Sequence, residues 1–106
     1  LIEEARGAGD TILKLAQRST SYYAPSAAVT MLVDAIVRDS RALLPISVRC
    51  EGEYGVRGLA IGVPGYVGAS GVEQIVELKL SETERGSFDR AAAELRAAHE
   101  QLSKAA

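Results

Sequence analysis

At 106 residues the chain supports one domain with one core, and a chain of this size buries about 65% of the surface it exposes when unfolded. Apolar residues make up 47% and charged residues 25%, which is the globular range and excludes wholesale disorder. Twelve basic and 14 acidic residues leave a net charge of −2 with no long block of one sign, which argues against an electrostatic nucleic-acid binder or a basic membrane-surface helix. The longest uncharged runs, Ser19–Val33 and Gly58–Val72, are 15 residues each and contain proline. A membrane span needs about 20 apolar residues, so no membrane segment is expected. The acidic start, Glu3 and Glu4, is unlike a secretory signal. A single cysteine, Cys50, cannot form an intrachain disulfide and fits a reducing compartment, the cytoplasm. The sequence opens at Leu1 already in helical periodicity with nothing to cap it, which reads as a portion of something longer.

Leu1, Ile2, Ala5, Ile12, Leu13, Leu15 and Ala16 fall at helical spacing. Gly7 and Gly9 each weaken a helix interior by roughly 1 kcal/mol, so the spacing predicts two short helices or one kinked near Gly9. Arg18–Ser21 reads as a connector. From Pro25, a residue suited to a first helical turn, Val29, Leu32, Val33, Ile36 and Val37 form one apolar face of a second helix, with Ser21 as a candidate cap. The period then changes to two. Leu44, Ile46, Val48 and Cys50 alternate with Pro45, Ser47, Arg49 and Glu51, the pattern of a half-buried strand. Gly52–Gly55 reads as a turn, Leu59–Val63 as a second strand, Gly65–Gly71 as a wide glycine-rich turn and Val72–Leu80 as a third strand. Ser81-Glu82-Thr83-Glu84 is a capping box. It opens a last helix whose apolar stripe is Phe88, Ala91, Ala92, Leu95, Ala98 and Leu102, with fraying expected from Ser103. The fold class is α+β: two N-terminal helical segments, a three-stranded antiparallel sheet and a C-terminal helix.

Few residues carry a chemical signal. His99 is the sole histidine, and it has no cysteine or second histidine at i±3 or i±4. It reads as a surface residue rather than a metal ligand. Glycines at 62, 65, 68 and 71 do not have the spacing of a phosphate-binding loop, and a strand rather than a helix is expected to follow them. Cys50 is in phase with Ile46 and Val48 and reads as a small buried hydrophobe. Glu51 and Glu53 read as a solvated turn. Ser19-Thr20-Ser21-Tyr22-Tyr23-Ala24-Pro25 gathers hydroxyls and phenols before a helix N-terminus. That arrangement suits either capping with aromatic packing or a small anion.

Here the sequence resembles the C-terminal part of the NAD-dependent lactate/malate dehydrogenase family, and most of all the malate dehydrogenases that look like lactate dehydrogenases. The family's G-S-A-Y-Y-A-P stretch corresponds to Ser19–Pro25. Its apolar helix with a basic-acidic end corresponds to Met31–Asp39, and V-L-P-x-S-V to Leu43–Val48. E-G-E-Y-G and G-V-P stand at Glu51–Gly55 and Gly62–Pro64, and N-G-V-E-x-I-x-E-L at Ser70–Leu78. The resemblance runs over essentially the whole chain. Departures are Ser-Thr-Ser in place of G-S-A, with Ser19 where glycine is usual, and Gly86 early in the last helix.

The resemblance implies that residues 1–106 are the C-terminal, substrate-side and oligomerising portion of a malate dehydrogenase, whose parent reaction is malate to oxaloacetate by hydride transfer. The Rossmann domain that binds NAD, the catalytic histidine with its aspartate and the substrate-binding arginines of the family all map upstream of this stretch. No catalytic residue is therefore expected here, and His99 does not stand at the family's catalytic position. Ser21 and Thr20 would wall the substrate side of the pocket, and Pro25 would lie near the nicotinamide end of the cofactor. The implied partners are the N-terminal half of the enzyme and further copies in a homo-oligomer, with neither nucleic acid nor membrane. The chain alone is expected to be inactive and to hold no NAD. A lactate dehydrogenase parent, or a stand-alone interaction module derived from the family, are the alternatives.

Overall fold

A computed structural model describes residues 2–16 and 22–105. The elements in chain order are α1 (Ile2–Ala16), α2 (Tyr23–Val37), β1 (Ala42–Glu51), a single 3-10 turn (Glu53–Gly55), β2 (Arg57–Gly68), β3 (Gly71–Ile75) and α3 (Glu82–Ala105). The expected α+β order is observed. The chain divides into two compact units, Leu1–Asp34 and Ala35–Ala106.

In the first unit α1 is one uninterrupted helix of 15 residues, where the sequence predicted two pieces or a kink at Gly9. Acidic Glu3 and Glu4 in its first turn and Lys14 in its last complement the helix dipole. Thr11 adds a side-chain bond to the Gly7 carbonyl at 3.1 Å. The helix α2 starts two residues before Pro25. The Tyr22 carbonyl accepts the first helical bond, from the Ser26 N–H at 2.9 Å, so Pro25 sits among the leading positions whose N–H groups have no helical partner.

In the second unit α2 closes with two bonds, Asp39 N–H to the Ile36 carbonyl at 3.3 Å and Ser40 N–H to the Ala35 carbonyl at 3.1 Å. With Asp39 at φ 49°, this is the helix-ending motif that usually has glycine in the left-handed position. Aspartate stands there instead, and its carboxylate accepts the Ala69 N–H at 2.9 Å. The end of α2 is thereby tied to the turn between β2 and β3. Arg41, also left-handed at φ 52°, reaches Glu73 on β3 at 3.3 Å.

The sheet is antiparallel in the order β1-β2-β3. The register Ile46↔Val63, Val48↔Ile61 and Cys50↔Leu59 puts the alternating apolar residues of both strands on one face. There Cys50, Tyr54, Val56, Leu59, Ile61 and Val63 form the core, with Val48, Ile75, Leu80, Phe88 and Ala92 packed against it. The other face, which carries Leu43, Ser47, Arg49, Ala60 and Gly62, is exposed.

Two boundaries differ from the sequence reading. Strand β2 runs on to Gly68, so the wide turn predicted at Gly65–Gly71 contracts to Ala69–Ser70. Gly65 is a strand residue: a Cβ there would come within 3.2 Å of Val72 Cγ1 and 3.3 Å of the Gln74 carbonyl. The glycine marks a close approach rather than a bend. Strand β3 stops at Ile75 instead of Leu80, and Pro64 is the reason. Val76 N–H donates to the Pro64 carbonyl at 2.9 Å, but Pro64 has no N–H to return and the ladder ends there. Pro45 stands opposite Pro64 in the β1–β2 register. Because the Pro64 backbone faces β3, the Pro45 backbone faces away from the sheet, so neither proline removes a bond between β1 and β2.

The helix α3 opens as expected. Ser81 N–H donates to Glu84 Oε2 at 2.8 Å, and Glu84 N–H to Ser81 Oγ at 3.2 Å. The Ser81 N–H first, and its hydroxyl second, hold the Glu84 carboxyl below its ordinary pKa. The helix continues to Ala105, beyond the fraying expected from Ser103. Of its predicted stripe only Phe88 and Ala92 pack on the core; Leu95 and Leu102 are exposed. Gly86 is exposed, and a Cβ there meets nothing within 4 Å. Gly86→Ala is therefore expected to raise the unfolding free energy by about 1 kcal/mol, and Ser81→Ala to lower it by about 1 kcal/mol, both read from urea denaturation. The Glu84 contribution is fully present above the ordinary carboxylate pKa and is lost as pH falls through its lowered folded value. Acid destabilisation should be shallower in Glu84→Gln than in the parent chain.

Candidate functional site

The candidate site is the start of α2, in the first unit. Tyr22 and Tyr23 are exposed, with ring centroids 4.6 Å apart and planes tilted by 39°. One helical turn on, Tyr22, Pro25, Ser26, Val29 and Thr30 line an open hollow of about 430 Å³. Tyr22, Ser26 and Thr30 follow one another at i+4, so α-helical geometry puts them on one side of the helix. Pro25 and Val29 lie beside them at the same spacing. The Thr30 hydroxyl donates to the Ser26 carbonyl at 2.8 Å, which restrains its rotamer. The hollow offers apolar surface from a phenol ring, a pyrrolidine and a valine, together with hydroxyls. Among the described residues its lining holds no cationic or acidic side chain.

Of the residues that the sequence pointed to, Pro25 lines this hollow, whereas Ser21 and Thr20 lie outside the described residues, as does the connector Arg18–Ser21. Ser26, Val29 and Thr30 were not singled out as site residues. Val29 and Val33, placed by the sequence on the apolar face of the second helix, are 58% and 51% exposed. Only the i, i+4 continuation from Tyr22 could have found these residues.

The other candidates are not among the residues that line this hollow. His99 lies exposed on α3, and no group of three or more metal-ligating side chains occurs among the described residues. Glu51 pairs with Arg49 at 2.9 Å, and its N–H donates to Glu53 Oε2 at 2.7 Å. That N–H is the main cause of the lowered Glu53 pKa, followed by the Glu53 N–H itself, with Arg57 helping. Glu53 is therefore favoured as an anion of the turn. A second hollow, lined by Arg41, Tyr66, Glu73 and Gln74, has its cation already neutralised by Glu73.

Cys50 is fully buried, with its Sγ 3.8 Å from the Val48 carbonyl. Burial, above all, pushes its pKa up, and the carboxylates of Glu53, Glu51 and Glu77 push the same way. The folded chain therefore keeps the thiol proton at a pH where the unfolded chain has lost it, so stability falls as pH rises above the ordinary thiol pKa. In chemical denaturation between pH 7 and 10, Cys50→Ala should remove part of that fall. The thiol should also be inert to a disulfide reagent until the chain unfolds.

Compared with known proteins, all of residues 1–106 match the family model described as the lactate/malate dehydrogenase, alpha/beta C-terminal domain. Malate dehydrogenase of Bacillus licheniformis is 43% identical over 90 residues, which are 85% of this chain and 29% of that protein. The crystal structure of malate dehydrogenase from Salinibacter ruber superposes with a TM-score of 0.93 at 35% identity, covering 97% of this chain and 33% of the other. Lactate dehydrogenase from Cryptosporidium parvum gives 0.84 at 33% identity, over 89% and 31%. The chain belongs to the lactate/malate dehydrogenase family and has the architecture of its C-terminal α/β domain. It spans about a third of the length of these relatives. No helix among the described residues is long and apolar enough to cross a membrane.

Proposed function

We propose that residues 1–106 act as the substrate-side C-terminal domain of an NAD-dependent malate dehydrogenase in the cytoplasm. Its parent reaction is the oxidation of malate to oxaloacetate by hydride transfer to the nicotinamide. The observation that carries the reading is the family match over the whole chain, together with an open hollow at the start of α2, where the resemblance sets the pocket wall. Malate is preferred to lactate on the Tyr22-Tyr23-Ala24-Pro25 form.

In this reading Ser21 and Thr20 wall the substrate side, and Pro25 stands near the nicotinamide end. The described residues do not fit a whole dinucleotide. Residues 62–71 are strand and turn and run into β3, so no helix N-terminus follows them to meet a pyrophosphate. Nor, among the described residues, does the hollow carry a cation to clamp a dicarboxylate or a base to take the hydroxyl proton. Hydride transfer needs both, held against the reacting carbons. The domain's own contribution is a rigid wall that shapes the pocket and excludes water. The rest of the chemistry comes from an N-terminal half of the kind found in the relatives, and further copies of the chain complete a homo-oligomer. Exposed Val29, Met31, Val33 and Val37 on α2 are apolar surface of the sort that such partners cover.

The test joins the chain to the N-terminal two thirds of the Bacillus licheniformis malate dehydrogenase. The chain alone should show no NADH-dependent oxaloacetate reduction above the blank, and the hybrid should turn over oxaloacetate in preference to pyruvate. Within the hybrid, Ser21→Val should lower kcat/KM about tenfold or more, while His99→Ala leaves it unchanged. Preference for pyruvate would move the assignment to lactate. Turnover by the chain alone that His99→Ala abolishes would overturn the reading of His99. An assembled hybrid that reduces neither acid would favour the stand-alone interaction module.

A further inference from the structure

Tyr54 lies in the second unit, far along the sequence from the candidate site, and it has more partners than its place in a short turn requires. Its backbone is left-handed, at φ 57° and ψ 19°, a conformation that a bulky residue adopts only when its surroundings impose it. The side chain is 7% exposed. Its hydroxyl donates to the Val76 carbonyl at 2.5 Å and accepts from the Leu78 N–H at 2.7 Å. The first bond supplies the donor that Pro64 cannot give to Val76, and the phenol thus continues the sheet's hydrogen bonding where the ladder stops. The Tyr54 N–H donates to Glu77 Oε1 at 3.3 Å. Its carbonyl accepts from Arg85 Nη2, in the first turn of α3, at 2.6 Å. Its ring lies 5.2 Å from that of Phe88, and the Arg85 guanidinium sits 5.8 Å from the Phe88 ring centroid.

The helix it holds has little else to hold it. No residue of α3 is buried. Phe88 and Ala92 are its residues that pack on the core, and beyond them the direct polar link to the sheet is a long one, Arg96 to the Arg57 carbonyl at 3.4 Å. The β1–β2 ladder, in contrast, runs from Ala42↔Val67 to Glu51↔Arg57 without involving Tyr54.

We propose that Tyr54 is a latch: one residue fastens the extended strap 76–81 and the whole of α3 to the sheet, so that residues 76–105 open and close as a single unit while β1 and β2 stay paired. Opening needs the loss of the phenol's two bonds and of the Arg85 contact together. It leaves the ten-residue strand β1 with its partner intact, which is the condition for a sub-global opening distinct from unfolding. The latch makes α3, with Leu95 and Leu102 exposed further along the stripe that begins at Phe88, a movable arm on a fixed sheet.

Native-state hydrogen exchange on the full chain tests this. Tyr54→Phe keeps the ring against Phe88 and removes only the hydroxyl. Exchange at Leu78 and across residues 86–92 should rise together, by about tenfold or more, the range expected when buried groups lose a hydrogen bond. The amides of Ile46, Val48, Ile61 and Val63 should change less than twofold. Arg85→Met cuts the link from the other side and should open the same two segments together. If Leu78 responds and residues 86–92 do not, the strap and α3 are independent and the latch is wrong. If the β1–β2 amides accelerate equally, or if Tyr54→Phe cannot fold while Arg85→Met leaves α3 protected, the phenol is an ordinary part of the global core and the proposal falls.

Discussion

A proline without an N–H sets the plan of the second unit. Pro64 lies in the middle strand and can accept from Val76 but cannot donate back. Its neighbour β3 therefore ends after five residues, and the chain must find another donor for the Val76 carbonyl or leave it orphaned beside the core. A buried carbonyl without a partner loses its full solvation. The Tyr54 phenol answers that need, and to reach it the backbone at Tyr54 adopts a left-handed conformation. The course of the strap past Val76 and Leu78 follows from this substitution of a side chain for a backbone group.

Most of the element order could be read from the sequence because a change of hydrophobic period is a strong signal. The run from Leu44 to Cys50 and the capping box at Ser81–Glu84 needed no knowledge of the rest of the molecule. The run from Val76 to Leu80 misled for a physical reason: an extended segment alternates its side chains whether its backbone bonds go to a strand or to a phenol. The glycines at 65 and 68 looked like a turn because composition does not distinguish a bend from a place where a neighbouring chain comes close. In α1 the two glycines lower the propensity without breaking the helix, since about 1 kcal/mol each is a weak prior against the rest of the segment. In α2 the periodicity correctly grouped Val29, Val33 and Val37 on a face, but it carries no information about what covers that face, and in this chain they are exposed.

The site was legible in a different way. Nothing in the spacing of Ser19–Pro25 distinguishes a capped helix from a pocket wall, so Ser21, Thr20 and Pro25 were reached through the family's motif. Ser26 and Thr30 could have been found from geometry alone, because Tyr22 begins the helix and every fourth residue after it lies on the same side. The hollow lies at a helix start and is lined there by Tyr22, Pro25, Ser26, Val29 and Thr30. The anchoring is done in the other unit, where Asp39 ends α2 with a carboxylate on the β2–β3 turn. The two ends of one helix thus differ, with an open hollow at the first and a side-chain tie at the last.

The pairing of Pro45 with Pro64 has an effect at the rim of the sheet. Among the described residues β1 has a partner strand on one side only, and on its other side every second residue of the strand turns its backbone groups outward, the kind of border that can recruit a strand from another molecule. Pro45 faces that side and breaks the row of donors within its first half. An incoming strand would have to leave one of its own carbonyls without a partner at that point, and it would meet a pyrrolidine ring where it needs a hydrogen. The same residue type that ends the ladder on one border of the sheet thus guards the other against aggregation.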